Sequence, residues 1–436
     1  MPEINERPKG VSDASEYDVI VIGAGPAGTV AAMYLADAGA NILLIDKESF
    51  PRDKICGDAQ GRKAAGIMKE LGIYGEYERL PGQKIYGITL SSPNGTVVEL
   101  DVEKRNKPAP GYCHTRIVFD NFLFQSAKKR CKTRVFNVTD LLIENSFVRG
   151  IIGINEKGDQ EEIRAKMILG ADGGNSVVAR KFNLNTNPPE HFIVAIRAYY
   201  KNVEGMTDRI EIHMIKSLIP GYFWIFPLPN GEANVGLGMI VKDKNEKKVN
   251  LKEALLHEIK NNPLFIPRFK DAKLLDEIRG WNLPVASYHR RCFGNGFMLL
   301  GDAASLIDPL SGEGVGNAMI SGKVAAKTAL EALKKNDFSE RFLKRYDKEL
   351  WSEIGDEIKT NYRLQKLGKR FPHLIDVLLM KAKADESMRK KIEELLPYTG
   401  GRKKIGSFEF LKFLGLSWST KDYEDHEEEL KAETGG

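Results

Sequence analysis

The sequence predicts an α/β fold: a parallel sheet first, an antiparallel sheet after it, and a helical C-terminal region. Three observations carry this. Residues 17–46 read as strand, glycine turn, helix and strand. Two later apolar strands each run into a paired Asp and Gly. The stretch from about 190 to 285 is mostly strand-forming, and from about 340 onward the chain reads as helix.

The first element is the most informative. Tyr17-Asp18-Val19-Ile20-Val21-Ile22 is a short β-rich run, followed by Gly23-Ala24-Gly25-Pro26-Ala27-Gly28. TVAAMYLADAG then forms a helix ending at Gly39, and Asn41–Ile45 is a second strand closed by Asp46. Such a βαβ unit is Rossmann-like. Its glycines permit a tight turn and bring backbone N–H groups and a helix N-terminus toward a pyrophosphate. Asp46 lies 18 residues beyond Gly28, placed to accept hydrogen bonds from an adenosine ribose, with Lys47 beside it. The motif alone serves FAD and NAD(P) equally.

The remaining elements follow in order. Residues 85–90 and 96–102 alternate around Ser-Pro-Asn-Gly, a hairpin signal. Arg116 to Lys129 reads as a helix, and VFNVTDLLIEN with VRGIIGIN as antiparallel strands. Lys166–Leu169 is a strand ending at Gly170-Ala171-Asp172-Gly173-Gly174. Phe297–Leu300 is a strand ending at Gly301-Asp302, and a small-residue helix runs from about 313 to 335.

Composition excludes several classes. The chain has 436 residues, 65 Lys+Arg against 60 Asp+Glu, 42% hydrophobic residues and only 4 Cys, which is globular and not disulfide-stapled. Cys56, Cys113, Cys131 and Cys292 form no CxxC pair, and the seven His show no metal spacing, so no metal is expected. No stretch approaches about 18 consecutive apolar residues, and no signal peptide is read. The expected compartment is therefore the cytoplasm. A net charge of +5 does not call for nucleic acid. Residues 1–16 and 421–436 read as flexible tails; the latter carries about −5, leaving about +10 on the rest.

The choice of cofactor comes from later segments. Gly170–Ser176 and Gly301-Asp302-Ala303-Ala304 resemble the paired "DG" and "GD" fingerprints of FAD-dependent hydroxylase-like proteins, and Arg116-x-x-Phe119-Asp120-x-x-Leu123 resembles their arginine-bearing helix. Each aspartate follows a short strand, where it can accept from ribityl or ribose hydroxyls or cap a helix near phosphate. Pro309-Leu310-Ser311-Gly312-Glu313-Gly314-Val315-Gly316 then opens a helix whose backbone N–H groups can face an anionic ring edge or phosphate. FAD is the expected cofactor, held by Gly23, Gly25, Ala27, Gly28, Asp46, Lys47, Cys56, Gly57, Arg116, Asp172, Gly173, Asp302, Pro309, Gly312, Gly314, Val315 and Gly316.

Gly221-Tyr222-Phe223-Trp224-Ile225-Phe226-Pro227, then LPNGEANV and Gly236-Leu237-Gly238, resembles the Y-x-W-x-F-P…G-x-G motif of the geranylgeranyl reductase family. Lys54-Ile55-Cys56-Gly57-Asp58 is similar to its early cysteine segment. The resemblance covers about residues 17–400. It implies a flavoprotein that saturates isolated C=C bonds of polyprenyl chains, typically in archaeal membrane lipids: hydride from reduced FAD N5 to one carbon, a proton to the other. It also implies substrate contacts at Tyr222, Trp224, Phe226, Pro227, Gly236 and Arg197, and a catalytic Cys56 beside the flavin. In a strand, Tyr222, Trp224 and Phe226 share one face, which suits an apolar ligand and equally suits a core.

The expected organisation is an FAD-binding domain from 17–100, 112–185 and 285–340, a substrate-binding sheet at 186–284, and a helical region at 341–420. The electron donor is unknown, with ferredoxin or NAD(P)H as classes. A stretch from about 361 to 404 holds twelve Lys+Arg against five acids, beside the apolar FPHLIDVLLM and FEFLKFLGL. It reads as a membrane-surface contact or as a packed helix with a solvated face. Two other functions share the fold or its ligand: a flavin monooxygenase or halogenase, and a non-catalytic prenyl-lipid-binding flavoprotein.

Overall fold

A computed structural model describes residues 17–395. The tails 1–16 and 421–436, and FEFLKFLGL, lie outside them.

Strand Tyr17–Ile22 forms the middle of a parallel sheet, pairing with Ile42–Asp46 on one side and Gln160–Gly170 on the other. Phe297–Leu299 adds to the far side of Gln160–Gly170, and Lys132–Glu144 to the far side of Ile42–Asp46, both parallel. The segments of these strands at the centre of the sheet are apolar and buried; Val19, Ile20, Leu44, Ile168 and Met298 are fully buried. Lys132–Glu144, Phe147–Asn155 and Gln160–Gly170 continue beyond the sheet as an antiparallel meander.

Helices Pro26–Asp37 and Val315–Lys335 cross on one face of this sheet, and small residues let them approach closely. A Cβ on Gly322 would overlap the carbonyl of Ala27, and one on Gly301 would stand 3.3 Å from the Ala27 methyl. Ala27 is thus a packing residue of the glycine turn.

The second sheet has eight strands. Phe192–Lys201, Glu232–Ile240, Tyr222–Pro227 and Arg209–His213 are successive antiparallel neighbours. Arg279–Pro284 joins the outer edge of Phe192–Lys201. The hairpin Gly87–Ser91/Val97–Asp101 belongs to this sheet, not to the parallel one beside which the sequence had placed it, because Gly87–Ser91 pairs in parallel with Arg209–His213. Helices Glu340–Arg370, His373–Ala384 and Glu386–Leu395 complete the described chain. None of the described helices is long and apolar enough to cross a membrane.

Candidate functional site

Between the two sheets lies a cavity of about 540 Å³, a size suited to a ligand. One end is polar. Pro26, Asp302, Pro309, Gly312, Gly314 and Val315 reach it from the N-termini of Pro26–Asp37 and Val315–Lys335 and the chain before the latter. Lys54, Cys56 and Gly57 come from the loop after Ile42–Asp46, and Arg116 from the start of helix Arg116–Lys128. The other end is apolar: Ile88, Leu90, Ile210, Ile212 and Met214 come from the second sheet, Leu364, Leu374, Ile375, Leu378 and Leu379 from the C-terminal helices.

The glycine turn at the polar end is held by its own backbone. Gly23 N–H donates to the Ile45 carbonyl at 2.7 Å, and Ala24 N–H to Asp46 Oδ2 at 2.9 Å. Gly23 has φ +96°, and a Cβ on Gly28 would overlap the Gly23 carbonyl, so both positions require glycine. Gly25 differs. The nearest neighbour of a Cβ there is Arg52 Nη2 at 3.7 Å, which leaves a cradle between a helix N-terminus and a guanidinium. Arg52 also donates to Asp120 at 2.9 Å, and Arg116 makes two 2.6 Å bonds to the same carboxylate. Lys54 Nζ donates to Asp302 Oδ2 at 2.8 Å; although burial opposes it, Lys54 holds the Asp302 carboxyl below the usual range. Two helix N-termini and three cations around a side-chain-free cradle fit an anionic dinucleotide such as FAD.

Other expected cofactor residues are placed differently. Asp172 caps the short helix Val177–Lys181 through Val177 N–H at 2.7 Å, while its buried Oδ1 has no partner. Gly173 has φ +78° and open space around it. Lys47 points outward, two-thirds exposed, beside Glu48. Gly316 lies under the Glu313 side chain and lines no part of the cavity.

The aromatic row is on the cavity face. Tyr222, Trp224 and Phe226 line it with ring centroids 6.2 Å apart in succession, while Phe223 and Ile225 face the opposite core. Pro227 ends the strand opposite Ala233 and does not reach the cavity. The Cys56-Gly57 turn packs against this row: a Cβ on Gly57 would stand 3.0 Å from the Phe226 ring. Tyr222 OH donates to the Ser311 carbonyl at 2.6 Å, joining the second sheet to the Pro309–Gly316 loop.

Sequence reasoning missed the hub behind Cys56. Asn234, fully buried, accepts from Trp224 Nε1 at 2.9 Å and donates to the Cys56 carbonyl at 2.7 Å and to Asp58 Oδ2 at 2.8 Å. Tyr199 OH also donates to Asp58 Oδ2 at 2.8 Å, and burial pushes the Asp58 carboxyl up to about 6 despite these donors. Arg197, 1% exposed, lies 4.0 Å over the Tyr199 ring and is held by Asp53 at 2.5 Å and Asp276 at 2.6 Å. The Cys56 side chain lies against the Arg116 guanidinium. The signal available in the sequence was the small-polar Ala-Asn-Val step inside an otherwise apolar strand.

A Ser-His-Glu cluster also goes unseen in the sequence. Ser91 Oγ lies 2.9 Å from His213 Nδ1, and His213 Nε2 lies 3.2 Å from Glu211. All three are under 5% exposed, Glu211 is tied to Arg268, and they occupy the sheet face away from the cavity, so the cluster is a structural one. The apolar run FPHLIDVLLM likewise turns inward: Leu374, Ile375, Leu378 and Leu379 line the cavity.

Residues 16–352 match the family described as FAD binding domain. The chain is 35% identical over 351 residues to digeranylgeranylglycerophospholipid reductase of Methanosarcina acetivorans, covering 77% of this chain and 81% of that one. It is 32% identical to the protein of that name from Methanocella arvoryzae, covering 81% and 87%. A solved geranylgeranyl bacteriochlorophyll reductase-like protein from Thermoplasma acidophilum superposes with a TM-score of 0.75 at 25% identity, over 94% of this chain and 99% of that one. A flavin-dependent brominase superposes with a TM-score of 0.75 at 22% identity, over 94% of this chain and 100% of that one, which shows a shared fold.

Proposed function

The chain belongs to the digeranylgeranylglycerophospholipid reductase family of FAD-binding-domain proteins, and from that premise we propose that it saturates isolated C=C bonds in geranylgeranyl chains of a glycerophospholipid. The observation that carries the reading is the continuity of one cavity from a dinucleotide-type cradle, past Cys56 and the aromatic row, to an apolar end closed by C-terminal helices.

FAD, when bound, supplies the two-electron reduction. Gly25, Arg52, Lys54 and the N-terminus at Gly314 would hold its phosphates, with Arg116 and Asp302 beside them. Tyr222, Trp224 and Phe226 flatten a prenyl chain against the Cys56-Gly57 turn, and the leucines and isoleucines of the far end bury the rest of it and exclude water. Asn234 fixes the turn and the Trp224 indole together, so Cys56 acts as a positioning group whose backbone is pinned from the sheet.

The test is anaerobic. The flavoprotein is reduced with dithionite and given digeranylgeranylglycerophospholipid; reoxidation with a mass gain of two hydrogens per double bond is the expected result. Reoxidation only on admitting O2 would sink the reading in favour of a monooxygenase. Lipid binding without reoxidation would make the protein a carrier.

A further inference from the structure

We propose that Glu313 is the acid that protonates the second alkene carbon, an assignment that rests on the reductase reading above. Saturating a C=C bond takes two electrons and two protons. An isolated alkene is a poor acceptor unless a proton is delivered as electrons arrive. The cavity wall must therefore present a protonated group.

Among the described residues, the carboxyls lining the cavity are Asp302 and Glu313. Asp302 is committed to Lys54 at 2.8 Å and is held ionised. The Tyr222 hydroxyl is spent on the Ser311 carbonyl, and burial pushes its pKa up. Glu313 is different. It sits on the Pro309–Gly316 loop between Gly312 and Gly314, its side chain is 12% exposed, and its nearest cation is Lys63 Nζ at 4.0 Å.

The groups facing it come from three elements. Lys63, on helix Arg62–Glu70, donates to Asn317 Oδ1 and Glu357 Oε1, both at 2.9 Å, so its charge is shared with Glu357 of Glu340–Arg370. Asp308, on the same loop as Glu313, accepts from Leu310 N–H, Ser311 N–H, Ser311 Oγ and Asn361 Nδ2. Three carboxyls thus face one ammonium. Burial pushes the Asp308 carboxyl up as well, but its four donors work against that, and Glu357 is directly paired, which leaves the surplus proton on Glu313. Burial, with Glu357 and Asp308 adding to it against Lys63, pushes Glu313 up to about 6.

In the step, both electrons and one hydrogen come with the reduced flavin. The Glu313 O–H bond breaks as the second C–H bond forms, and the carboxylate left behind is stabilised by Lys63. Water re-protonates it at the rim, where the Glu357 side chain is 35% exposed.

The holoenzyme labelled with carboxyl-13C glutamate is titrated by infrared spectroscopy. A protonated carboxyl band persisting to about pH 6 in the wild type and absent from Glu313→Gln is expected. A wild-type spectrum with no such band at pH 5 overturns the assignment. In anaerobic single turnover, flavin reoxidation by the lipid should slow by about 100-fold or more in Glu313→Gln, and Glu313→Asp should restore part of the rate. The wild-type rate should fall above about pH 6, with no such step in Glu313→Gln. A Glu313→Gln protein with wild-type rate and pH profile overturns the assignment. A wild type that shows the band but never reduces the lipid overturns the reductase reading instead.

Discussion

Trp224 lies directly across the antiparallel pair from Gly236, and a Cβ on Gly236 would overlap the indole ring. Tyr222 faces Gly238 two residues along. Gly236 is therefore the cross-strand complement of the Trp224 side chain. Gly236 could not be larger without moving the Trp224 ring off the cavity wall, whereas a Cβ on Gly238 would meet Ala195 at 3.3 Å and Ile193 at 3.4 Å.

Gly236→Ala is expected to displace the Trp224 indole and strain the sheet at the Ile196 carbonyl, which crowds the same position. Overpacking of this kind costs about 1–3 kcal/mol. Urea denaturation and Trp224 fluorescence check it; unchanged stability with an unchanged emission spectrum would refute the packing argument.

Gly25→Val separates cofactor binding from folding. A Cβ at Gly25 finds only Arg52 Nη2 within 4 Å, at 3.7 Å, and the residue has φ −74°, so the fold tolerates a side chain. The cradle does not. The purified variant should keep its melting temperature as apoprotein and lose most of its flavin absorbance, whereas full flavin content would remove Gly25 from the phosphate site.

His114 is buried as the neutral imidazole, with Nδ1 2.8 Å from Gln60 Oε1, and burial lowers its pKa from 6.5 to about 4. A folded pKa below the unfolded one means the unfolded chain binds the extra proton between those values. His114 thus contributes stability that is complete above pH 6.5 and is lost as pH falls toward 4, by up to about 3 kcal/mol. Measured against pH, His114→Phe should lose stability less steeply than wild type in that window; parallel curves would show that His114 titrates normally.

Leu364→Trp should fill part of the apolar end while leaving the polar end untouched. We expect geranylgeranyl substrates to lose at least about 10-fold more in kcat/KM than farnesyl analogues. Equal losses for both would place the chain elsewhere.

The glycine turn, the aromatic row and the small-residue helix were legible because each is a local pattern. Gly23, Gly28 and Asp46 are linked by backbone geometry within 30 residues, and period-2 alternation placed Tyr222, Trp224 and Phe226 on one face. The Gly87–Ser91/Val97–Asp101 hairpin was legible as a hairpin but not as part of the second sheet. Which sheet it joins depends on pairing with Arg209–His213, more than a hundred residues away.

The amino-acid sequence by itself determined the βαβ unit, the family and FAD as the cofactor, since these rest on residue types that neighbouring backbone demands. The tertiary structure alone decided what completes the site. Lys63 meets Asn317 across 254 residues and Glu357 across 294, and Asn234 meets Cys56 across 178. Such contacts carry no periodicity, and the charge state of a buried carboxyl like Glu313 is set by which distant groups folding brings against it.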